Sequence, residues 1–240
     1  MSGIFINYAH RGASEYAPEN TMSAFRLGLE QGANGIETDV QMTKDGVLVL
    51  FHDDKLERVT NASGAVGDYT LKELEKIDIL GQYPGMTPDK IVTFEAFLDF
   101  AANKNVNLAI EIKQAGIEDE IIEMMSRYDI LDRTIVTSFH FSAIEKFSRE
   151  TEYKVGYLLR ELNDEVIAQL KSIGGYQICP NVKDVTVESV KMLKEQGFSV
   201  RAWGIKTEED MRRAFGSGVD GMTVNFPDKL RALMAMSGSV

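Results

Sequence analysis

Alternation constrains this chain more than any other feature. Short runs rich in Ile, Val and Leu are each followed by a longer segment with apolar residues at helical spacing. The candidate strands are Ile4 to Ala9, Gly35 to Val40, Asn107 to Ile112, Thr134 to Ser138, Lys154 to Leu159, Tyr176 to Cys179, Ser199 to Trp203 and Gly221 to Val224. The candidate helices are Thr21 to Gln31, Thr93 to Lys104, Ile117 to Tyr128, Ser142 to Thr151, Asp164 to Ser172, Val187 to Gln196, Glu208 to Ser217 and Asp228 to Met236. Thr186 and Thr207 stand where N-caps belong, Gly32, Gly174 and Gly197 where helices stop, and Pro227 in a first turn. Eight such units in 240 residues point to an α/β fold, a single closed (β/α)8 TIM barrel. The competing doubly wound sheet would carry a Gly-rich dinucleotide loop after its first strand. Gly12-Ala13-Ser14 is not one.

One stretch breaks the pattern. Lys44-Asp45-Gly46 signals a hairpin turn, and Val47 to Phe51 is a strand-like run that should fold back on the second strand. From about 53 to 91 no clean unit appears, only a short helical pattern at Leu71 to Ile77. This reads as a segment inserted after strand 2, a common place for a functional lid.

Charged residues gather at or near the ends of the early strands. Glu37 and Asp39 are two apart on a strand, so they share a face. Glu111 and Lys113 repeat that arrangement. A barrel collects strand ends around one pocket, so Glu37, Asp39 and Glu111 should converge. Converging carboxylates need protons or a cation, and an all-oxygen set favours Mg²⁺ or Ca²⁺ over zinc. His10, Arg11 and His52 stand at the same face, and the chain has only three histidines. Such histidines can carry protons near neutral pH, while Arg11 and Lys113 can hold anionic oxygens. A lone E-x-D is usually a solvated edge, and a lone strand-end histidine is usually structural. Their concentration at one barrel face changes that weighing. His140 lies on the same side beside a loop. Trp203 is as compatible with core packing as with a pocket wall.

The net charge of −11 argues against nucleic-acid partners and against basic anchoring on membranes, but not against a small anionic substrate. Cys179 is the only cysteine, so no disulfide framework is implied, and a buried structural thiol is expected. No signal-peptide pattern or membrane-length apolar run is seen, which leads to the expectation of a soluble, cytoplasmic protein.

In order, His10-Arg11-Gly12, Pro18-Glu19-Asn20-Thr21, Gly35-Ile36-Glu37-Thr38-Asp39-Val40, Thr43-Lys44-Asp45-Gly46, His52-Asp53, Glu111-Ile112-Lys113, Ser138-Phe139 and the segment from Gly221 to Pro227 resemble the glycerophosphodiester phosphodiesterases. The resemblance spans essentially the whole chain. It implies a phospholipase C-like (β/α)8 barrel in which Glu37, Asp39 and Glu111 bind one divalent cation, Mg²⁺ or Ca²⁺. It implies His10 and His52 as the acid/base pair, with Arg11 and Lys113 as phosphate contacts. The implied reaction cleaves small glycerophosphodiesters, such as glycerophosphocholine or glycerophosphoethanolamine, to glycerol 3-phosphate and an alcohol. The glycerol 2-hydroxyl is the implied nucleophile, giving a cyclic phosphate that water opens. Asn225 departs from the Asp common in the family. Two alternatives are a lysophospholipase D, with Leu80, Tyr83, Pro84 and Met86 as an apolar mouth, and a non-catalytic phosphodiester binder. The histidine pair speaks against the second.

Overall fold

The computed structural model describes residues 4–81 and 84–238. Along the chain run β1 (Ile6–His10), α1 (Met22–Glu30), β2 (Gly35–Met42), β3 (Leu48–Leu50), α2 (Leu71–Leu74), β4 (Asp78–Ile79), β5 (Asp89–Lys90) and α3 (Phe94–Ala102). Then follow β6 (Asn107–Ile112), α4 (Glu118–Met125), β7 (Thr134–Ser138), α5 (Phe141–Glu150), β8 (Lys154–Leu158) and α6 (Asp164–Ser172). The last are β9 (Gln177–Cys179), α7 (Val187–Glu195), β10 (Ser199–Ile205), α8 (Glu208–Gly216), β11 (Gly221–Val224) and α9 (Pro227–Met236).

Strand β1 pairs in parallel with both β11 and β2, and the remaining parallel pairings run β2–β6–β7–β8–β9–β10–β11. That closes a (β/α)8 barrel and excludes the open sheet. Outward residues such as Ile36, Leu108, Val136, Ile178 and Met222 form one buried layer with Phe25, Phe97, Phe147, Leu193 and Leu230 of the helices. Each such side chain contributes roughly 1.5–3 kcal/mol when buried. The inner face is polar instead. Arg201 is fully buried there, donating from Nε to Gln177 Oε1 at 2.9 Å and from Nη1 to Thr223 Oγ1 at 2.9 Å. Its guanidinium also lies 5.1 Å from the centroid of the Tyr8 ring.

Caps expected from sequence are in place. Thr93, Thr186 and Thr207 accept from Ala96, Ser189 and Asp210 amides, and Gly32, Gly174 and Gly197 take positive φ after their helices. Boundaries differ by a residue or two: β1 starts at Ile6 and runs to His10, while β10 continues past Trp203 to Ile205.

Strand β3 pairs antiparallel with β2, as the hairpin signal requires. Beyond it, Val49, Phe51, Leu56, Val59, Val66, Leu74, Ile77, Ile79 and Ile91 build a small second core. The helical pattern at Leu71 to Ile77 is helix only over Leu71–Leu74, because the chain turns into β4, which pairs with β5. Asp89 accepts from Ser23 Oγ at 2.7 Å and so ties the inserted segment to the start of α1.

Candidate active site

Strand register places the acidic residues. His10 is level with Glu37 across the β1–β2 pairing, and Asp39 is level with Glu111 across β2–β6. All three carboxylates are buried, and one oxygen from each lies within 4.8 Å of the others. Burial and mutual repulsion separate their titrations. Burial, then Asp39 and Glu111, raises Glu37 well above the ordinary carboxylate range. Burial and Asp39 push Glu111 up to about 7. Burial acts on Asp39 too, but Arg11, His52 and Lys113 outweigh it and hold its pKa low. Asp39 Oδ1 is buried and has no hydrogen-bond partner, only Lys113 Nζ at 3.8 Å. Three convergent oxygens with one orphaned lone-pair set suit a hard divalent cation.

The His10-Arg11-Gly12 turn is built by unusual backbone. Arg11 has φ +56°, which aims its amide at Glu37, donating to the backbone O at 2.9 Å and to Oε2 at 3.1 Å. Gly12 has φ +83°, and a Cβ there would stand 2.4 Å from the Ala24 backbone, so only glycine fits. The Arg11 side chain meets Asp39 Oδ2 at 3.1 Å and Glu19 Oε1 at 2.9 Å. Lys113 donates to Glu111 Oε1 at 2.8 Å. Both cations therefore lie against the carboxylates, and of the two only Arg11 also lines the cavity.

Each histidine is fixed through Nδ1. His10 Nδ1 lies 2.6 Å from Asn225 Oδ1, and His52 Nδ1 lies 2.6 Å from Asp53 Oδ1. Both partners accept, so Nδ1 carries the proton and Nε2 keeps a free lone pair in the neutral ring. Burial, then Arg11, lowers His10 to about 3. Burial lowers His52 too, with Arg11 and Lys113 adding to it and Asp39 and Asp53 opposing.

Sequence reasoning left several supporting residues without a role. Asn20 donates to Asp39 Oδ2 at 2.9 Å and accepts from Thr38 at 2.8 Å. Thr21 caps α1. Glu19 binds Arg11, and Arg58 of the inserted segment binds both Glu19 and Asp53. The signal for Glu19 and Asn20 was the Pro-Glu-Asn-Thr string. Arg58 had none, because its position depends on how the inserted segment folds.

His10, Arg11, Glu37, His52 and Glu111 share a cavity of about 280 Å³. Its opposite wall includes Phe139, Leu158, Trp203 and Ile205. The Trp203 indole is pinned by donation to Leu159 O at 3.2 Å and Cys179 O at 3.1 Å, and it meets Phe139 edge to face at 5.1 Å. Arg201 forms part of the floor. His140 precedes α5 and does not line this cavity. Neither do Leu80, Pro84 or Met86, and Tyr83 lies outside the described residues. Cys179 is buried in the barrel, its thiol pushed up by burial. No described helix is long and apolar enough to cross a membrane.

Comparison with known proteins identifies the family of this barrel. The profile of the glycerophosphoryl diester phosphodiesterase family matches residues 10–229. A glycerophosphodiester phosphodiesterase of Caldanaerobacter subterraneus subsp. tengcongensis is 34% identical over 237 residues, covering 96% of this chain and 98% of that protein. One from Bacillus subtilis is 31% identical over 249 residues, covering 93% and 84%. Among solved structures, a phosphodiesterase from Oleispira antarctica in complex with the product sn-glycerol-3-phosphate superposes with TM-score 0.85 at 25% identity, covering 95% and 96%. Since the profile begins at the first histidine of the site and runs through nearly the whole barrel, the chain belongs to the glycerophosphoryl diester phosphodiesterase family.

Proposed function

We propose that this chain hydrolyses small glycerophosphodiesters to glycerol 3-phosphate and an alcohol, using a divalent cation and the His10/His52 pair. The observation that carries this reading is that two histidines, each held at Nδ1, line one cavity together with Glu37 and Glu111 of the buried three-carboxylate cluster. Binding alone needs no proton carriers.

Glu37, Asp39 and Glu111 would hold Mg²⁺ or Ca²⁺. The bound ion would supply positive charge where the phosphoryl oxygens become more negative. Arg11, beside the same carboxylates, adds a fixed cation with planar donors suited to phosphate. Lys113 adds a second charge at Glu111. One histidine takes the proton of the attacking glycerol 2-hydroxyl at Nε2, and the other, entering the step as the imidazolium with a second proton on Nε2, delivers that proton to the leaving alkoxide. In the second stage their roles reverse, so that water opens the cyclic phosphate. Asp53 stabilises the protonated form of His52 by a charge-assisted hydrogen bond, whereas Asn225 offers His10 only a neutral acceptor. The pair is therefore asymmetric. Trp203 and Phe139 form a rigid wall against which the substrate is held.

The test is a coupled assay of glycerol 3-phosphate release. Activity should vanish with chelator and return with Mg²⁺ or Ca²⁺. Release unaffected by thorough chelation would refute metal dependence. Tight binding of diesters without any release would favour a binding protein.

A further inference from the structure

The reacting phosphorus must sit over the buried carboxylates, and the glycerol hydroxyl must reach a histidine. The alcohol is then the part of the substrate directed to the cavity rim. In a chain of net charge −11, two exposed cations nonetheless stand at or beside this cavity. Lys206 lines the cavity three residues beyond Trp203 and is exposed. Arg160, also exposed, places its guanidinium 4.8 Å from the centroid of Phe139. Lys113 Nζ approaches the same ring at 5.9 Å. Among the described residues neither Arg160 nor Lys206 makes an ion pair, and Glu161, next in the chain, pairs with neither.

A quaternary ammonium is recognised by aromatic faces that have no cation of their own. Here Phe139 is already engaged by Arg160, and Trp203 turns an edge-to-face contact toward Phe139. An ammonium head group would meet like charge there, while an anionic one would find two cations that form no ion pair among the described residues.

We propose that Arg160 and Lys206 set the alcohol specificity, selecting diesters whose alcohol carries an anionic group over those whose alcohol carries an ammonium. This rests on the phosphodiesterase reading above and narrows its substrate class.

The test measures kcat/KM by glycerol 3-phosphate release for glycerophosphocholine, glycerophosphoinositol and a phosphorylated glycerophosphoinositol. Wild type should prefer the phosphorylated alcohol, then the neutral one, then choline, with a spread on the order of tenfold that shrinks as salt is raised. The double variant Arg160→Gln/Lys206→Gln should flatten that order and leave the neutral substrate nearly unchanged. Activity with choline preferred, or an order that survives the double substitution, overturns the proposal and leaves the phosphodiesterase reading intact. No release from any of the three overturns both.

Discussion

Arg58 grips both carboxylate oxygens of Glu19, Nη1 to Oε2 at 2.9 Å and Nη2 to Oε1 at 2.7 Å. The same guanidinium holds Asp53, which holds His52, while Glu19 holds Arg11. One residue of the inserted segment thus supports both a histidine and a cation that line the cavity. A segment that looks like an appendage in sequence becomes part of the site's support.

Arg58→Ala should therefore lower kcat by about 10- to 100-fold, the range typical when support for a site residue is removed. Arg58→Lys should recover little, since a point charge cannot bridge two carboxylates bidentately. The melting temperature should fall modestly, because Arg58 is half-exposed but its partner Glu19 is buried and loses two hydrogen bonds. Steady-state kinetics alongside thermal melts will check this. An active Arg58→Ala enzyme with native kcat would show that Asp53 and Glu19 hold their partners unaided.

His10→Ala and His52→Ala should each cost on the order of 10²- to 10⁴-fold in kcat while divalent-ion binding persists. Calorimetric titration of the ion against each variant separates the two properties. Near-native kcat in either variant would remove that histidine from proton transfer.

The barrel was legible because each strand–helix unit carries its own local signal: apolar runs, threonine caps, glycine stops. The carboxylate cluster was legible because Glu37, Asp39 and Glu111 obey strand alternation, and parallel register does the rest. Arg201 obeys the same rule, two residues before Trp203, and so was discoverable as an inward residue. Asn225 on His10 and Arg58 on Asp53 were not. They depend on contacts between residues 215 apart and on the fold of an irregular segment, neither of which periodicity encodes. The pairing of β4 with β5 was missed for the same reason. Strands of two residues leave no pattern to read.

Asn225→Asp replaces a neutral acceptor on His10 Nδ1 by a carboxylate. A negative partner favours the imidazolium, so the His10 pKa, now lowered to about 3 by burial and Arg11, should rise. One limb of the pH–rate profile should then move to higher pH: the acid limb if His10 is the base of the slow step, the alkaline limb if it is the acid. The direction of movement is the same in both cases, and the limb that moves identifies the role. A profile identical to wild type would mean that this hydrogen bond does not reach the titrating step.

The final expectation concerns the ion and pH together. Glu111 is raised from 4.5 to about 7 by burial and Asp39, and Glu37 is raised as well. A carboxyl whose folded pKa is raised binds its proton more tightly when folded. Its contribution to stability is complete below the unfolded value and is lost as pH climbs through the folded one. Ion-free protein therefore loses stability from Glu111 between about pH 4.5 and 7, and Glu37 acts in the same direction. A divalent cation must displace the same protons to bind, so its affinity should grow over that window. The lowered histidines act in the opposite sense, their stabilisation being lost as pH falls below 6.5. The bound ion disfavours imidazolium as well as protonated carboxyls, so both act in one direction on the difference in melting temperature between ion-loaded and chelated protein. That difference should widen steadily from pH 5 to 8. A constant or shrinking difference would mean that the ion does not bind at Glu37 and Glu111.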